Sequence, residues 1–82
     1  MHMKSYEAVI IRLEILCIQR GMKASKLAYI AGVHPSTLKS IINGTSKNPG
    51  ISTIKKLCDG LEISIREFFN CDLFDDLEQE IK

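Results

Sequence analysis

The stretch that decides the fold is LAYIAGVHPSTLKSII, residues 27–42, in which a glycine and a proline interrupt two short runs of helical character. Gly32 can adopt the left-handed backbone conformation that ends a helix, and Pro35 suits the first turn of a new one. Only Val33 and His34 separate the two. The second helix must therefore leave the first at a steep angle.

The apolar residues on both sides of this turn fall where two crossing helices would bury them. They are Leu27, Ala31, Val33, Leu38 and Ile41, with the small Ala28 at the expected crossing point. A larger side chain at position 28 would push the two helices apart. Since the turn glycine, the small residue and the apolar positions all agree, they predict a helix-turn-helix rather than a plain helical hairpin.

The remaining sequence predicts three more helices and no strand, because its apolar residues recur at intervals of three and four. The first helix runs from Tyr6 to about Arg20 and is stopped by Gly21. A fourth follows residue 50, and a fifth begins at Ser64, which forms a capping box with Glu67. The core positions predicted for these last two helices are Ile51, Ile54, Leu57, Cys58, Leu61, Ile65, Phe68 and Phe69. The predicted fold class is all-α, with five short helices.

The charge of the chain changes sign along its length. Residues 1–60 carry nine basic and three acidic residues, whereas residues 61–82 carry two basic and seven acidic ones. Residues 1–70 are predicted to form the folded domain and residues 71–82 an acidic tail. The tail repeats Leu73, Leu77 and Ile81 at four-residue spacing, which can add a sixth helix. One end can thus face a polyanion while the other faces away, although a solvated charged surface would show the same imbalance.

Length and composition exclude several classes of protein. A chain of 82 residues buries one modest core, with little room for an enclosed substrate cavity. No run of about eighteen apolar residues is present, so no membrane span is expected and the protein is interpreted as cytoplasmic. Three distant cysteines indicate neither a disulfide framework nor a zinc site, and His2 and His34 lack ligand partners at suitable spacing. We therefore expect no metal, no cofactor and no catalytic residue.

Two stretches resemble the Cro/cI-type helix-turn-helix regulators, also called XRE-like. They are LAYIAGVHPSTLKSIINGTSKNP, residues 27–49, and ISTIKKLCDGLEISIREFF, residues 51–69. The resemblance covers about residues 6–69 and implies a five-helix, lambda-repressor-like domain whose third helix enters the DNA major groove. It also implies that two protomers read two half-sites, so the partners are double-stranded DNA and a second copy of the chain.

The polar residues of the third helix and of its surroundings are the candidate DNA contacts. With Leu38 and Ile41 directed to the core, helical geometry turns the polar side chains outward. The predicted base-reading residues are Pro35, Ser36, Thr37, Lys39 and Ser40. The predicted phosphate-binding residues, at the start of the second helix and in the loop after the third, are Lys23, Lys26, Asn43, Thr45, Lys47 and Asn48. Reading should be modest, because no bidentate Arg, Asn or Gln lies in the first two turns.

Four positions depart from the pattern common in that family. Relatives often carry a glutamine where this chain has Ala24, which leaves lysines to anchor the second helix. An arginine–glutamate pair that joins the first and third helices is replaced by Cys17 and Ile42, and such an apolar replacement is often neutral or stabilising. Glu62 stands in place of a glycine, so we expect that turn to differ.

The first helix also carries a second apolar stripe, formed by Ala8, Ile11, Ile15 and Ile18. Such a row is rarely left to solvent, and the tail, a second protomer or a foreign protein could cover it. Together the sequence features favour a sequence-specific DNA-binding regulator, a homodimeric repressor of phage or mobile-element type. The alternative is an antitoxin or protein-interaction module that uses the acidic tail and the apolar face of the first helix.

Overall fold

The computed structural model describes residues 2–81, and Met1 and Lys82, the outer ends of the predicted domain and tail, lie outside the described residues. Within that range the chain forms five α helices, which confirms the all-α prediction. They are α1 (Ser5–Gln19), α2 (Ala24–Ala31), α3 (Pro35–Ile42), α4 (Ile51–Gly60) and α5 (Ile65–Phe69).

Glycines end the first two helices, as the sequence predicts. Gly21 has a φ of 58° and Gly32 a φ of 69°, both in the left-handed region. After Gly32 the amide of Val33 donates a hydrogen bond to the carbonyl of Ala28 at 3.0 Å, which closes the end of α2. α3 then begins at Pro35, so the turn between the two helices is as short as expected.

Glu62 adopts the same left-handed conformation between α4 and α5, with a φ of 59°. The amide of Ile63 donates to the carbonyl of Cys58 at 3.0 Å, which is the usual closure of a glycine-ended helix. The expectation that this turn would differ is therefore wrong. Leu61 and Ile63, on either side of the glutamate, are both buried, and their packing holds the strained backbone in place.

The core lies where the helices converge, and Phe68 of α5 is completely buried in it. Ala28 is also buried, and α2 approaches α4 so closely that a Cβ on Gly60 would lie 3.1 Å from that of Ala31. Two of the core positions predicted for α4 and α5 are exposed, Ile51 at 64% and Phe69 at 36%, and Ile65 is half-buried. The two exposed residues each stand at the end of a helix, where fewer neighbours can cover a side chain.

Over its described residues, 71–81, the acidic tail does not form a sixth α helix. Only Asp72–Phe74 form a turn of 3₁₀ helix, which packs against α1, and the chain beyond it runs beside the N-terminus. There the amide of Glu78 donates to the carbonyl of Met3 at 2.8 Å, and the Ser5 hydroxyl donates to the Glu80 carboxylate at 2.7 Å. Repulsion between acidic residues four apart, such as Asp72 and Asp76, disfavours the predicted helix.

Two arginines of residues 1–60 donate hydrogen bonds to backbone carbonyls of the same chain. Arg12 donates from Nε to the carbonyl of Phe68 at 2.7 Å and from Nη2 to that of Glu67 at 2.9 Å. Arg20 donates from Nε to the carbonyl of Leu61 at 3.0 Å. Arg12 thus ties α1 to the end of α5, and Arg20, directly after α1, ties it to the end of α4.

The second apolar stripe of α1 changes in exposure along the helix. Ala8 is completely buried, Ile11 and Ile15 are half-buried, and Ile18 is 78% exposed. Since the 3₁₀ turn of the tail packs against α1, part of this helix is covered from within the same chain. Only the end of the stripe at Ile18 is left open to solvent in the monomer.

Candidate nucleic-acid interface

α3 is anchored by apolar side chains and exposes polar ones. Leu38 and Ile41 are each 2% exposed, and they fix the orientation of the helix against the core. Of the five predicted base-reading residues, Pro35, Ser36, Thr37 and Lys39 are exposed and Ser40 is half-buried. After Pro35, the helix therefore presents an edge of exposed and half-buried polar side chains.

The N-terminus of α3 is capped by His34. Its Nδ1 accepts a hydrogen bond from the amide of Ser36 at 3.2 Å and lies 2.8 Å from the Ser36 hydroxyl oxygen. The carbonyl of His34 accepts from the amide of Thr37 at 2.9 Å, so one residue closes the first turn from both its backbone and its side chain. This cap fixes the end of α3 that carries the predicted base readers.

The loop after α3 is also held in a defined shape. The Asn43 side chain accepts from the amide of Thr45 at 3.0 Å, and the amide of Ser46 donates to the carbonyl of Ser40 at 2.9 Å. Gly44 takes a left-handed φ of 82° between them. Rigid backbone of this kind suits a loop that positions donors toward phosphate oxygens.

Lys47 and Asn48 extend from this loop toward the N-terminus of α1. The Lys47 Nζ lies 5.8 Å from the centroid of the Tyr6 ring, a cation–π distance. Both loop residues are exposed and line a shallow groove together with Ser5 and Tyr6. Because Ser5 binds Glu80, a carboxylate of the tail lies beside this groove, and the acidic end does not face away as a whole.

The other predicted contacts surround the start of α2. Lys23 is the N-terminal capping residue of α2, Lys26 lies in its first turn, and both are exposed. The two lysines and Ser25 line one shallow cleft. Ser25 also lines a second, mainly apolar cleft between α2 and α3, together with Lys39 and Asn43. The predicted residues thus follow one another across neighbouring clefts instead of converging in one pocket.

The sequence segment that forms α2, α3 and the loop after α3 carries charge of a single sign. Between Glu14 and Asp59 the sequence contains no acidic residue. The same segment holds seven cations, namely Arg20, Lys23, Lys26, Lys39, Lys47, Lys55 and Lys56. α2, α3 and the loop after α3 all lie inside it. A surface with donors, cations and no carboxylates of its own is suited to the phosphate backbone of a nucleic acid.

Comparison with known proteins identifies this arrangement. Residues 12–73 match the family model of the Cro/C1-type HTH DNA-binding domain. The chain belongs to that family. Its resemblance to Cro/cI-type regulators is thereby confirmed, and so is the helix-turn-helix at α2 and α3. No protein of curated function matches the chain significantly.

Solved structures of similar proteins have the same fold. The crystal structure of the prophage Lp1 protein 11 is 32% identical, with a TM-score of 0.80, and the match covers 92% of this chain and 99% of that one. A variant of the restriction-modification controller protein C.Esp1396I is 23% identical, with a TM-score of 0.78 and coverage of 92% of both chains. Its wild type is 21% identical, with a TM-score of 0.74 over 85% of this chain and 86% of that one.

The two positions where the family resemblance implies an arginine–glutamate pair are apolar in this chain. Cys17 and Ile42 line the same small cleft, beside Leu13 and Ala24. Burial raises the pKa of the Cys17 thiol, an effect that nearby Arg20 opposes and Glu14 reinforces, so the thiol stays neutral. α1 and α3 are therefore joined here by packing and not by charge.

Sequence reasoning missed three residues of this Cro/C1-type surface. Ser25 follows the predicted lysine anchor and lines both clefts at α2, while Tyr6 supports Lys47. The third is His34, although its place directly before Pro35 is a capping position. Among residues 2–81, no group of three or more His, Cys, Asp or Glu side chains could hold a metal ion, and no helix could cross a membrane.

Proposed function

We propose that this Cro/C1-type protein is a sequence-specific regulator that binds double-stranded DNA as a homodimer and represses transcription. One observation carries the proposal. The exposed polar edge of α3 lies within the segment between Glu14 and Asp59, which contains cations and no carboxylate. We place its action in the cytoplasm of a cell that carries a phage or a mobile element, and the likeness to a prophage protein supports that setting.

In this proposal α3 enters the major groove. Ser36, Thr37 and Ser40 read base edges by hydrogen bonds, and Pro35 contacts the methyl group of a thymine. Lys39 can reach either a guanine or a phosphate, and a flexible point charge favours the phosphate. Because short hydroxyl side chains form single hydrogen bonds, each base pair should contribute modestly to specificity.

Phosphate contacts on both sides of α3 would fix its register in the groove. Lys23 and Lys26 would bind one stretch of backbone from the start of α2. The loop residues Asn43, Thr45, Lys47 and Asn48 would bind another from the end of α3. Contacts of this kind position a protein on DNA without reading sequence, and they make its affinity depend strongly on salt.

A homodimer would present two α3 helices to two half-sites about one helical turn apart. Repression would then follow from occupation of a promoter. Sedimentation of the free protein and of its complex with a paired operator tests the assembly. Two chains per operator are expected, whereas a single chain on a site without two-fold symmetry would refute the dimeric proposal.

The deciding experiment for sequence-specific binding is selection of bound duplexes from a random pool at defined salt. A motif with two related halves is expected. Ser36→Ala and Ser40→Ala should each relax the preference at one or two positions, whereas Lys55→Ala, which removes a lysine paired with Asp59 on α4, should leave the motif unchanged. Recovery of no motif would refute sequence-specific binding. Repression is tested separately, by a reporter gene behind the selected site.

The contacts of the tail support a regulator over an antitoxin. A segment that binds a toxin would have to release Glu78 from Met3 and Glu80 from Ser5. Deletion of residues 75–82 distinguishes the two functions. For a regulator, the truncated chain should still select the same DNA motif. For an antitoxin, it should lose its protein partner, and the exposed Ile18 would be the next surface to substitute.

A further inference from the structure

The first turn of α3 contains a hydrogen-bonded pair that restricts the chemistry of one proposed base reader. The Ser36 hydroxyl oxygen lies 2.8 Å from Nδ1 of His34, and the Ser36 amide nitrogen lies 3.2 Å from the same ring atom. Both partners are exposed at the end of the helix that would face DNA. Both side chains are therefore accessible to DNA at the proposed interface.

The backbone amide determines which form the imidazole takes. An amide N–H can only donate, so Nδ1 of His34 must accept, and the proton of the neutral ring must be on Nε2. Pro35 between the two residues has no amide hydrogen, and the amide of Thr37 is bonded to the His34 carbonyl. The amide of Ser36 is thus the backbone donor in this turn that bonds to the imidazole of His34.

The tautomer in turn orients the Ser36 hydroxyl. An oxygen 2.8 Å from a lone-pair nitrogen must direct its hydrogen at that nitrogen, because two facing lone pairs would repel each other. Once this hydrogen is committed to His34, only the lone pairs of the hydroxyl remain for a further partner. A serine without such a neighbour could either donate or accept.

We propose that His34 makes Ser36 an acceptor-only base reader, which selects an exocyclic amino group in the major groove. The two amino groups displayed there are N6 of adenine and N4 of cytosine, whereas guanine and thymine present acceptors. His34 is the positioning residue and Ser36 the contact. The inference rests on the proposed function. A freely rotating serine hydroxyl discriminates weakly between bases, whereas a hydroxyl held by His34 would prefer bases that present an amino group.

The tautomer can be tested on the free protein. Long-range ¹H–¹⁵N correlation spectra of the full chain, recorded where the ring is neutral, distinguish Nε2–H from Nδ1–H. His34 should show the Nε2–H form, and His34→Asn identifies its signals by their loss. A dominant Nδ1–H form would overturn the inference, because that ring could not accept from Ser36.

The base contact is tested on the selected operator. The position that Ser36→Ala relaxes should carry adenine or cytosine facing Ser36. Replacing that base by an analogue without its amino group should weaken binding about three- to tenfold, the usual worth of one hydrogen bond. A 7-deazapurine in the same base pair, which removes only an acceptor, should have no such effect. In the Ser36→Ala variant the amino group should no longer matter.

Variants at position 34 separate positioning from contact. His34→Ala removes the acceptor and frees the hydroxyl, so the preference for an amino group should weaken. His34→Asn keeps an acceptor at the capping position and should retain it. Affinity for random duplexes controls for the integrity of α3. A motif that Ser36→Ala leaves unchanged, or a loss caused by the 7-deazapurine alone, would overturn the inference. Recovery of no motif at all would instead refute the proposed function, and the inference with it.

Discussion

Lys47 offers the sharpest test of how the protein would hold DNA. Its side chain is exposed, and its Nζ lies 5.8 Å from the centroid of the Tyr6 ring. An exposed cation–π contact is worth about 0.5–1 kcal/mol, so Tyr6 orients the ammonium group without consuming its three donors. Lys47→Ala should therefore remove a phosphate contact while costing the fold little.

The expected effect follows from counterion release. Neutralising one phosphate contributes about 0.9 to the slope of log affinity against log salt. Between about 50 and 200 mM salt, the wild type should lose about 3.5-fold more affinity than the Lys47→Ala variant. The loss should be the same on the selected operator and on random duplexes, because a phosphate contact carries no sequence information.

The assay is a fluorescence-anisotropy titration of both duplexes at several salt concentrations. Lys55→Ala is the matched control, because it removes the same charge from a lysine already paired with Asp59 on α4. Its salt slope should equal that of the wild type. If Lys47→Ala weakened only the operator and kept the slope, Lys47 would read a base. If it changed neither duplex, the loop after α3 would not contact DNA.

Three further predictions concern stability, and urea denaturation checks each of them. Glu62→Gly should raise the free energy of unfolding by about 1 kcal/mol, because glycine has no penalty for a left-handed φ. Glu62→Ala should not raise it, because alanine keeps the Cβ that causes the penalty. Arg12→Met should lower it by about 2 kcal/mol through the loss of two charge-assisted hydrogen bonds, with DNA affinity unchanged. Burial raises the pKa of Cys17 and of Cys58 above the ordinary value of 9.0, so the unfolded chain ionises first and stability should fall as the pH rises above 9.

The helix-turn-helix could be predicted because its signals are local. Gly32 and Pro35 act on the backbone within a few residues, and apolar spacing reports which face of each helix is buried. The same reasoning located the exposed edge of α3. It failed at Ile51 and Phe69, because periodicity shows the direction of a side chain and not whether another element reaches it.

The features that sequence reasoning missed depend on contacts between distant or unusually paired residues. Arg12 counts as a surface cation in the sequence, yet its partners lie on α5, more than fifty residues away. The cap formed by His34 is short-range, but histidine is an uncommon capping residue and gives no general signal. Glu62 shows the converse case, because buried neighbours override a local backbone preference.

Charge separation along the sequence does not become the same separation in space. The tail carries five of the ten acidic residues, but its end returns to α1, where Glu80 accepts a hydrogen bond from Ser5. Ser5 and Lys47 line one groove, so a carboxylate lies beside a proposed phosphate contact. An incoming phosphate would meet both the attraction of Lys47 and the repulsion of Glu80, which is stronger at low salt. The carboxylate of Glu80 therefore weakens the positive potential at Lys47. Within residues 2–81, the hydrogen bonds and ion pairs of the tail side chains join it to His2 and Ser5 and not to α2 or α3, so these two helices keep their positive charge.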